Sequence, residues 1–417
     1  MVILLLTLLA LLGAPLFVVI ASSAMLGFRQ SEIPLSAIPI EIFAIAEMPI
    51  LVAIPLFTFA GYVLSESNAP ARLVRVTGAL MGWLPGGLAL VSIAACAFFT
   101  AFTGAYGVTI IALGALLYPA LKQSGYSENF RLGLVTSAGS LGLLFVPSLP
   151  LILYGVVAEV PIDDLFVAGL LPGILMMASM GGYSLWVNRE NRTPMSEFSI
   201  AELRAALREA VWELPLPVIV LGGIYSGYFA ISEAAAVTSV YVLIVEVFVL
   251  RDIALRKLPE IMRESMVLVG GILLILGVSL ASTNYMIDAQ VPEMLVEIVN
   301  RFVTGTTSFL LLLFVFLLIL GAILDIFSAL VLVVPLILPM AELYGVHPVH
   351  LGIVFLATMQ LGFLTPPVGL NLFISSYRFD KSIVKVYLAT FPFLLILLAT
   401  VLLITFWPGL SLFLLGE

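Results

Sequence analysis

Charge is what this chain has least of. Only 10% of its 417 residues are Asp, Glu, Lys or Arg, whereas 62% are hydrophobic and the mean hydropathy is +1.22. A soluble domain draws about a quarter of its residues from the charged set. This chain cannot build such a surface, so lipid must be its solvent. In lipid each backbone N–H and C=O has to be satisfied internally, which leaves helices or closed barrels. The apolar stretches are continuous rather than alternating, and that excludes a barrel. An all-α integral membrane protein is expected.

Other absences narrow the reading. Cys96 is the single cysteine, so there is no disulfide framework and no cysteine metal site, and a small buried hydrophobe is the expected role. The two histidines, His347 and His350, flank Pro348 and read as an interfacial turn rather than a metal or proton site. HExxH, GxSxG and His/Cys clusters are all missing, which argues against an enzyme. Net charge is −8 with no basic stripe, so nucleic acid is excluded as a partner. No basic residue precedes the apolar run 2–27 and no small-residue cleavage site follows it, so it reads as a first span, not a removed signal peptide.

A span needs about 20 apolar residues. Charge-free runs recur along the whole chain, and two depart from the simple pattern. Run 76–121 is too long for one helix and is interrupted at Thr103-Gly104-Ala105-Tyr106-Gly107. Runs 302–324 and 326–341 are divided only by Asp325, too little chain to reach water and return. Both read as helical hairpins that turn back inside the membrane, over about 86–121 and 306–341, and such turns survive only when buried in protein or lining a wet cavity.

The halves repeat. Displacing the sequence by 220 residues brings Pro119 onto Pro339, Gly125 onto Gly345, Gly142 onto Gly362 and Pro147 onto Pro367. In each half a hairpin precedes a helix broken by Gly and Pro, over about 132–157 and 351–377. Such paired interruptions point to a transporter's binding site. The first repeat spans 1–188 and the second 214–417, and their relative orientation depends on whether 214–250 crosses once or twice. Between them, 189–213 is polar. Its Ser199-Ile200-Ala201-Glu202 fits a capping box, and Ile200, Leu203, Leu207 and Val211 recur at helical spacing, as in an interfacial amphipathic helix. Arg251, Arg256, Lys257 and Arg263 mark their loop as cytoplasmic.

An ionisable residue at membrane depth is a functional hypothesis by default. Asp325, at the second hairpin tip, could bind a cation, carry a proton or accept hydrogen bonds from a substrate; a helix cap is the structural alternative. In Gly362-Phe363-Leu364-Thr365-Pro366-Pro367-Val368-Gly369-Leu370-Asn371 two successive prolines remove two donors. The carbonyls from Gly362 to Thr365 then lack helical partners, and sodium could replace them. The first-half equivalent is Phe145 to Pro150, with Ser148, opposite a tip carrying Thr103 and Gly104. Candidate substrate contacts are therefore Asp325, Ser148, Thr103, Tyr106 and Asn371. Candidate sodium ligands are Gly321, Gly362, Thr365 and Pro366 in one half and Gly104 and Pro147 in the other. Glu233, opening Glu233-Ala234-Ala235-Ala236, reads as a structural first-turn carboxylate.

These segments also carry a resemblance. GYFAISEAAAVTSVYVL (227–243), GAILDIFSALVLVVPLILPM (321–340) and GVHPVHLGIVFLATMQLGFLTPPVGLNLF (345–373), with PSLPLILYG (147–155), closely resemble the large membrane subunit of tripartite ATP-independent periplasmic (TRAP) transporters. The resemblance implies a bacterial or archaeal inner-membrane, multi-pass secondary transporter of elevator type with inverted repeats. It implies sodium coupling with no organic cofactor, a small membrane subunit (Q-type), and a periplasmic binding protein delivering a small organic anion, mostly a carboxylate. The family's acidic tip residue falls on Asp325, its Thr-Pro-Pro element on Thr365, Pro366 and Pro367, and its first-half Ser on Ser148. The first tip departs from the family's serine-rich pattern, and Tyr106 brings an aromatic face into it. A substrate with an apolar or aromatic part is the expectation. A proton-coupled carrier, a sodium/proton antiporter and a passive channel are the rivals.

Overall fold

Continuous apolar sequence without alternation gives helices, and the computed structural model contains nothing else: no strand occurs among the described residues, which are Leu6, 12–84, 86–189 and 198–416. Most of the run 2–11, and 190–197 of the connecting segment, lie outside them. In chain order the helices that position the site begin with α1 (Leu16–Gln30), α2 (Ala37–Ala46), α3 (Ala53–Glu66) and α4 (Ala69–Met81). The first hairpin is α5 (Gly87–Thr103) and α6 (Tyr106–Gln123). The helix after it is α7 (Glu128–Ala138), one 3₁₀ turn (Leu141–Leu144) and α8 (Leu149–Ala158), bent by 44° at the break. Short α9 (Ile162–Ala168) leads into α10 (Leu170–Val187), and α11 (Ile200–Glu209) follows the undescribed stretch.

The segment 214–250 resolves into two helices, α12 (Pro215–Tyr225) and α13 (Ile231–Leu243), the latter running on as a π-helical turn to Val249. Long α14 (Leu258–Asp288) and short α15 (Val291–Asn300) precede the second hairpin, α16 (Thr306–Gly321) and α17 (Ile326–Leu343). Next come α18 (Pro348–Gly362) and α19 (Leu370–Phe379), with α20 (Ile383–Phe406) closing the bundle. Among the described residues six helical segments are long and apolar enough to cross a membrane, or seven with the bent pair counted as one span.

Helix boundaries carry the 220-residue displacement. Both ends of α6 fall on those of α17, the start of α7 on that of α18, and the left-handed Gly125 on Gly345. The helices overrun the charge-free runs because polar residues cap them. Ser127 accepts from Phe130 N at the start of α7, and His347 Nδ1 from Val349 N at the start of α18.

Packing follows from the same economy. One continuous apolar core runs through both hairpins and both broken helices, while α14 packs against α1, α2, α3 and α17. Cys96 is fully buried in α5, as expected. Glu233 accepts from Ala230 N at 2.9 Å and so caps α13. The Ser199 capping box forms by half: Ser199 Oγ accepts from Glu202 N (3.3 Å), but the Glu202 carboxylate accepts instead from Arg75 Nε (2.8 Å). His350 is buried against Ser411 Oγ (3.1 Å) and Thr405 O (3.2 Å), and no metal-binding group of three or more His, Cys, Asp or Glu exists among the described residues.

Candidate functional site

Each hairpin tip rests on the break of the helix that follows it. In the first half Gly104 takes a left-handed conformation (φ 61°), and a Cβ there would come within 2.5 Å of the Leu149 side chain at the start of α8. Glycine is the residue that meets both demands at little cost. In the second half the contact is a hydrogen bond, Gly369 N donating to Ala322 O at 3.1 Å. Deeper along the same arms, Gly362 lies so close to Gly321 that a Cβ would meet its Cα at 2.5 Å. The first half repeats this 220 residues earlier: a Cβ on Gly142 would meet Ala97 O at 2.2 Å and Ala101 N at 2.6 Å.

Asp325 occupies the N-cap of α17. Its Oδ1 accepts from Phe327 N and Ser328 N, both at 3.0 Å, and its Oδ2 accepts from Ser328 Oγ at 2.5 Å. The carboxylate is half-buried, so it caps the helix and still presents charge at the tip. Placing an anion there also suits the helix dipole. The position 220 residues earlier is Ala105, whose side chain cannot cap.

In the second break, Thr365 N and Thr365 Oγ1 both donate to Gly362 O, at 3.0 and 2.8 Å, and the Pro366–Pro367 peptide is cis. The first break mirrors it with a cis Val146–Pro147 peptide and with Ser148 Oγ, fully buried, donating to Leu143 O at 2.5 Å. Thr103 is also fully buried, and its Oγ1 accepts from Ala105 N at 3.4 Å.

Tyr106 joins the halves. Its ring stacks on Phe363, next to Gly362, with centroids 4.6 Å apart and planes at 25°. The first tip thus meets the second break through Tyr106 on Phe363, and the second tip meets the same break through Ala322 and Gly369.

Asn371 is differently engaged. It is fully buried, and its Nδ2 donates to Thr136 O (3.3 Å) and Ser140 Oγ (3.2 Å) on and beside α7, leaving Oδ1 without a partner. With Thr136 Oγ1 hydrogen-bonded to Ser375 Oγ (2.9 Å), it ties the two broken helices together. Arg378 belongs to the last turn of α19, beyond the range expected for the broken helix. Its Nε donates to Ile111 O of the first hairpin at 3.1 Å, so one basic side chain does reach that hairpin, from an exposed position.

Residues 1–410 match the family described as "Tripartite ATP-independent periplasmic transporter, DctM component". The chain belongs to this family. It is 34% identical over 377 residues to the C4-dicarboxylate TRAP transporter large permease protein DctM of Pseudomonas aeruginosa, covering 90% of this chain and 88% of that one. It is 30% identical to the ectoine/5-hydroxyectoine TRAP transporter large permease protein UehC of Ruegeria pomeroyi, over 97% and 96%. The isethionate TRAP transporter permease protein DctMQ of Oleidesulfovibrio alaskensis is 33% identical over 89% of this chain, which spans 59% of that longer protein. In architecture the TRAP large permease resembles the Alcanivorax borkumensis YdaH transporter, with a TM-score of 0.60, 15% identity and coverage of 89% and 87%. It is thus a multi-span membrane protein of a transport system.

Sequence reasoning missed two features. Phe363, the partner of Tyr106, looked like one more apolar residue in an apolar run. A cluster around Arg72 was missed too, although Glu246, an isolated carboxylate in the run 234–250, was a usable signal.

Proposed function

We propose that this TRAP large permease is a sodium-coupled secondary transporter of the inner membrane, importing a small organic anion by an elevator movement. Its two hairpins and two broken helices form the moving body. A small membrane subunit and a periplasmic binding protein complete the system, consistent with a family described as tripartite.

The observation that carries this reading is the paired contact of hairpin tip and helix break. Half-helices with unwound carbonyls between them are how such folds assemble cation sites, and Gly362, Thr365 and Pro366, with Gly321 nearby, are the proposed ligands here. The Gly362 carbonyl, which the sequence left without a helical partner, accepts from Thr365 N and Oγ1 and must be released from the hydroxyl to bind an ion. Gly104 and Pro147 are the first-half counterparts. Asp325, Thr103, Tyr106 and Ser148 provide the polar and aromatic substrate contacts, while Asn371 acts from the second layer.

Orientation follows from counting. The bent pair α7–α8, then α10, α13 and α14, are four segments between the hairpins long enough to cross. We count short α12 as a fifth pass because it runs from Glu213, in the Arg72 cluster with Asp252, to Tyr225, whose hydroxyl donates to Asp163 O on the other side. An odd number puts the hairpins in from opposite faces, which is the inverted arrangement. The loops on the side of Arg204, Arg208, Arg251, Arg256, Lys257 and Lys381 are then cytoplasmic, because the opposite loops carry Asp163, Asp164, Asp288 and Glu293 with Arg29 and Arg301 as the only described basic residues.

Charge explains the coupling. No lysine or arginine lies at either tip or break, and Arg378 is bound to a carbonyl. An anion is then held by hydroxyls, helix N-termini and sodium itself, so ion and substrate cross together. The Tyr106–Phe363 stack favours a cargo with an apolar part beside its anionic group. The test is uptake into proteoliposomes containing both membrane subunits, supplied with the loaded binding protein. Uptake should require an inward sodium gradient. Equal uptake without sodium, driven by a proton gradient alone, would sink the reading in favour of a proton-coupled carrier.

A further inference from the structure

Away from the hairpin tips, Arg72 on α4 is ringed by three carboxylates. Its Nε donates to Glu213 Oε1 (2.5 Å), its Nη1 to Asp252 Oδ2 (2.6 Å), and its Nη2 to Glu246 Oε1 and Oε2 (3.2 and 3.1 Å). Glu213 Oε1 also lies 2.5 Å from Nη2. Side-chain exposure is 7% for Arg72, 2% for Glu213, 1% for Glu246 and 12% for Asp252. Three formal negative charges thus face one positive charge out of water.

Asp252 is the member nearest solvent. Its desolvation is outweighed by hydrogen bonds from Arg72 and from Asn68 N (3.0 Å), which hold its carboxyl below the usual range. It is the ionised partner of the guanidinium. Glu213 and Glu246 remain, both on Nη2 and so side by side. Glu213 Oε2 has no hydrogen-bond partner, and the residues around Glu213 include Leu64, Leu73, Phe99, Phe102 and Leu216. An anionic oxygen facing such a wall without a donor is costly, whereas a neutral carboxyl is far less so. Burial pushes the Glu213 carboxyl above its ordinary value, with Arg72 opposing.

Among the described residues no other cation is paired with these carboxylates. On α4, Arg75 is bound to Glu202 and Glu209 of α11. From α3, Glu66 pairs with Lys257. Arg251, next to Asp252, is exposed. The α13 side adds only Tyr241, whose hydroxyl donates to Trp212 O (2.8 Å), and α5 presents phenylalanines.

We propose that this cluster is a proton-binding site, holding one proton between Glu213 and Glu246 at neutral pH. The proton lets four chain segments close on one guanidinium: α4, the turn before α12, the π-helical end of α13 and the loop that follows. Deprotonation leaves two like charges on one nitrogen, and these segments loosen. The site is independent of the cargo and of the coupling ion.

Infrared difference spectroscopy of the full chain in lipid nanodiscs tests this, between neutral and alkaline buffer, for wild type, Glu213→Gln and Glu246→Gln. The expected result is a protonated-carboxyl C=O band at neutral pH that disappears on alkalinisation and is lost or shifted in at least one variant. Thermal melting supplies a second readout. A carboxyl raised in the folded state adds stability that is present below the ordinary Glu value and lost as pH rises through the raised one. Wild type should therefore melt several degrees lower in alkaline buffer, and the glutamine variant should lose that dependence while matching wild type at neutral pH. A band identical in all three proteins overturns the proposal, as does an unchanged alkaline fall in both variants. If a variant does not fold, the wild-type spectrum decides, and absence of a protonated-carboxyl band at neutral pH is fatal.

Discussion

Gly362 and Gly321 touch through their backbones: a Cβ on Gly362 would sit 2.5 Å from the Gly321 Cα. Gly321 has no side chain to move aside, so the second hairpin reaches its broken helix only with hydrogen at position 362, whereas a Cβ on Gly321 would meet Met359 O at 3.0 Å. Replacing Gly362 by Ala should cost about 1–3 kcal/mol of stability, as overpacking typically does, and should lower transport further by lifting the hairpin from the break. Gly182→Ala in α10, where an added Cβ meets nothing within 4 Å, is the control and should be neutral or slightly stabilising. Melting curves and uptake rates of the two variants make the comparison.

Asp325 has two separable duties. As an N-cap it accepts from Phe327 N and Ser328 N, and asparagine can do the same. Asp325→Asn should therefore melt near wild type yet lose sodium-dependent uptake, while Asp325→Ala should lose uptake and also about 1 kcal/mol of stability. Full activity in Asp325→Asn would reduce the residue to a cap.

The ring of Tyr106 should matter more than its hydroxyl. Tyr106→Phe keeps the stack on Phe363 and should retain transport. Tyr106→Ala removes a contact of about 0.5–1.5 kcal/mol and opens the site, so KM should rise for cargo with an apolar part and change little for the smallest carboxylates. Competition uptake with a graded series of organic acids reads this out.

A pH effect is expected on the amphipathic helix. Arg75, hydrogen-bonded to Glu202, holds that carboxyl below the usual carboxylate range. A depressed carboxyl adds stability that is present above its unfolded value and lost as pH falls through the folded one. Acidification below the ordinary Glu range should release α11 from α4, and Arg75→Ala should release it already at neutral pH. Proteolysis around residues 198–200 is the measurement, with the effect small and salt-sensitive because the pair is exposed.

Much of the fold was readable because lipid is a strict solvent and proline a strict residue. Pro147 and Pro367 removed donors wherever the chain went, so both breaks could be found without knowing any neighbour. Asp325 was conspicuous because it stood alone between apolar runs. Of the Arg72 cluster only Glu246 stands out in the sequence: the three carboxylates lie between 141 and 180 residues from Arg72, and only tertiary packing assembles them. Asn371 is conspicuous for its place beside the prolines, but the direction of its amide toward Thr136 and Ser140 depends on how α19 meets α7. Segment 214–250 was ambiguous because its turn, Ser226 to Ala230, contains no charge to mark an emergence.

The tip-to-break contacts have a consequence for diversification. Where they are hydrogen bonds or glycine faces, the main chain does the holding, as in Gly369 N to Ala322 O and Gly362 on Gly321. Side chains at the tips are then free to vary while the mechanical joint persists. A stretch such as Thr103-Gly104-Ala105-Tyr106 can be rewritten for a new nutrient, with its glycine kept, without re-engineering the machine that carries it.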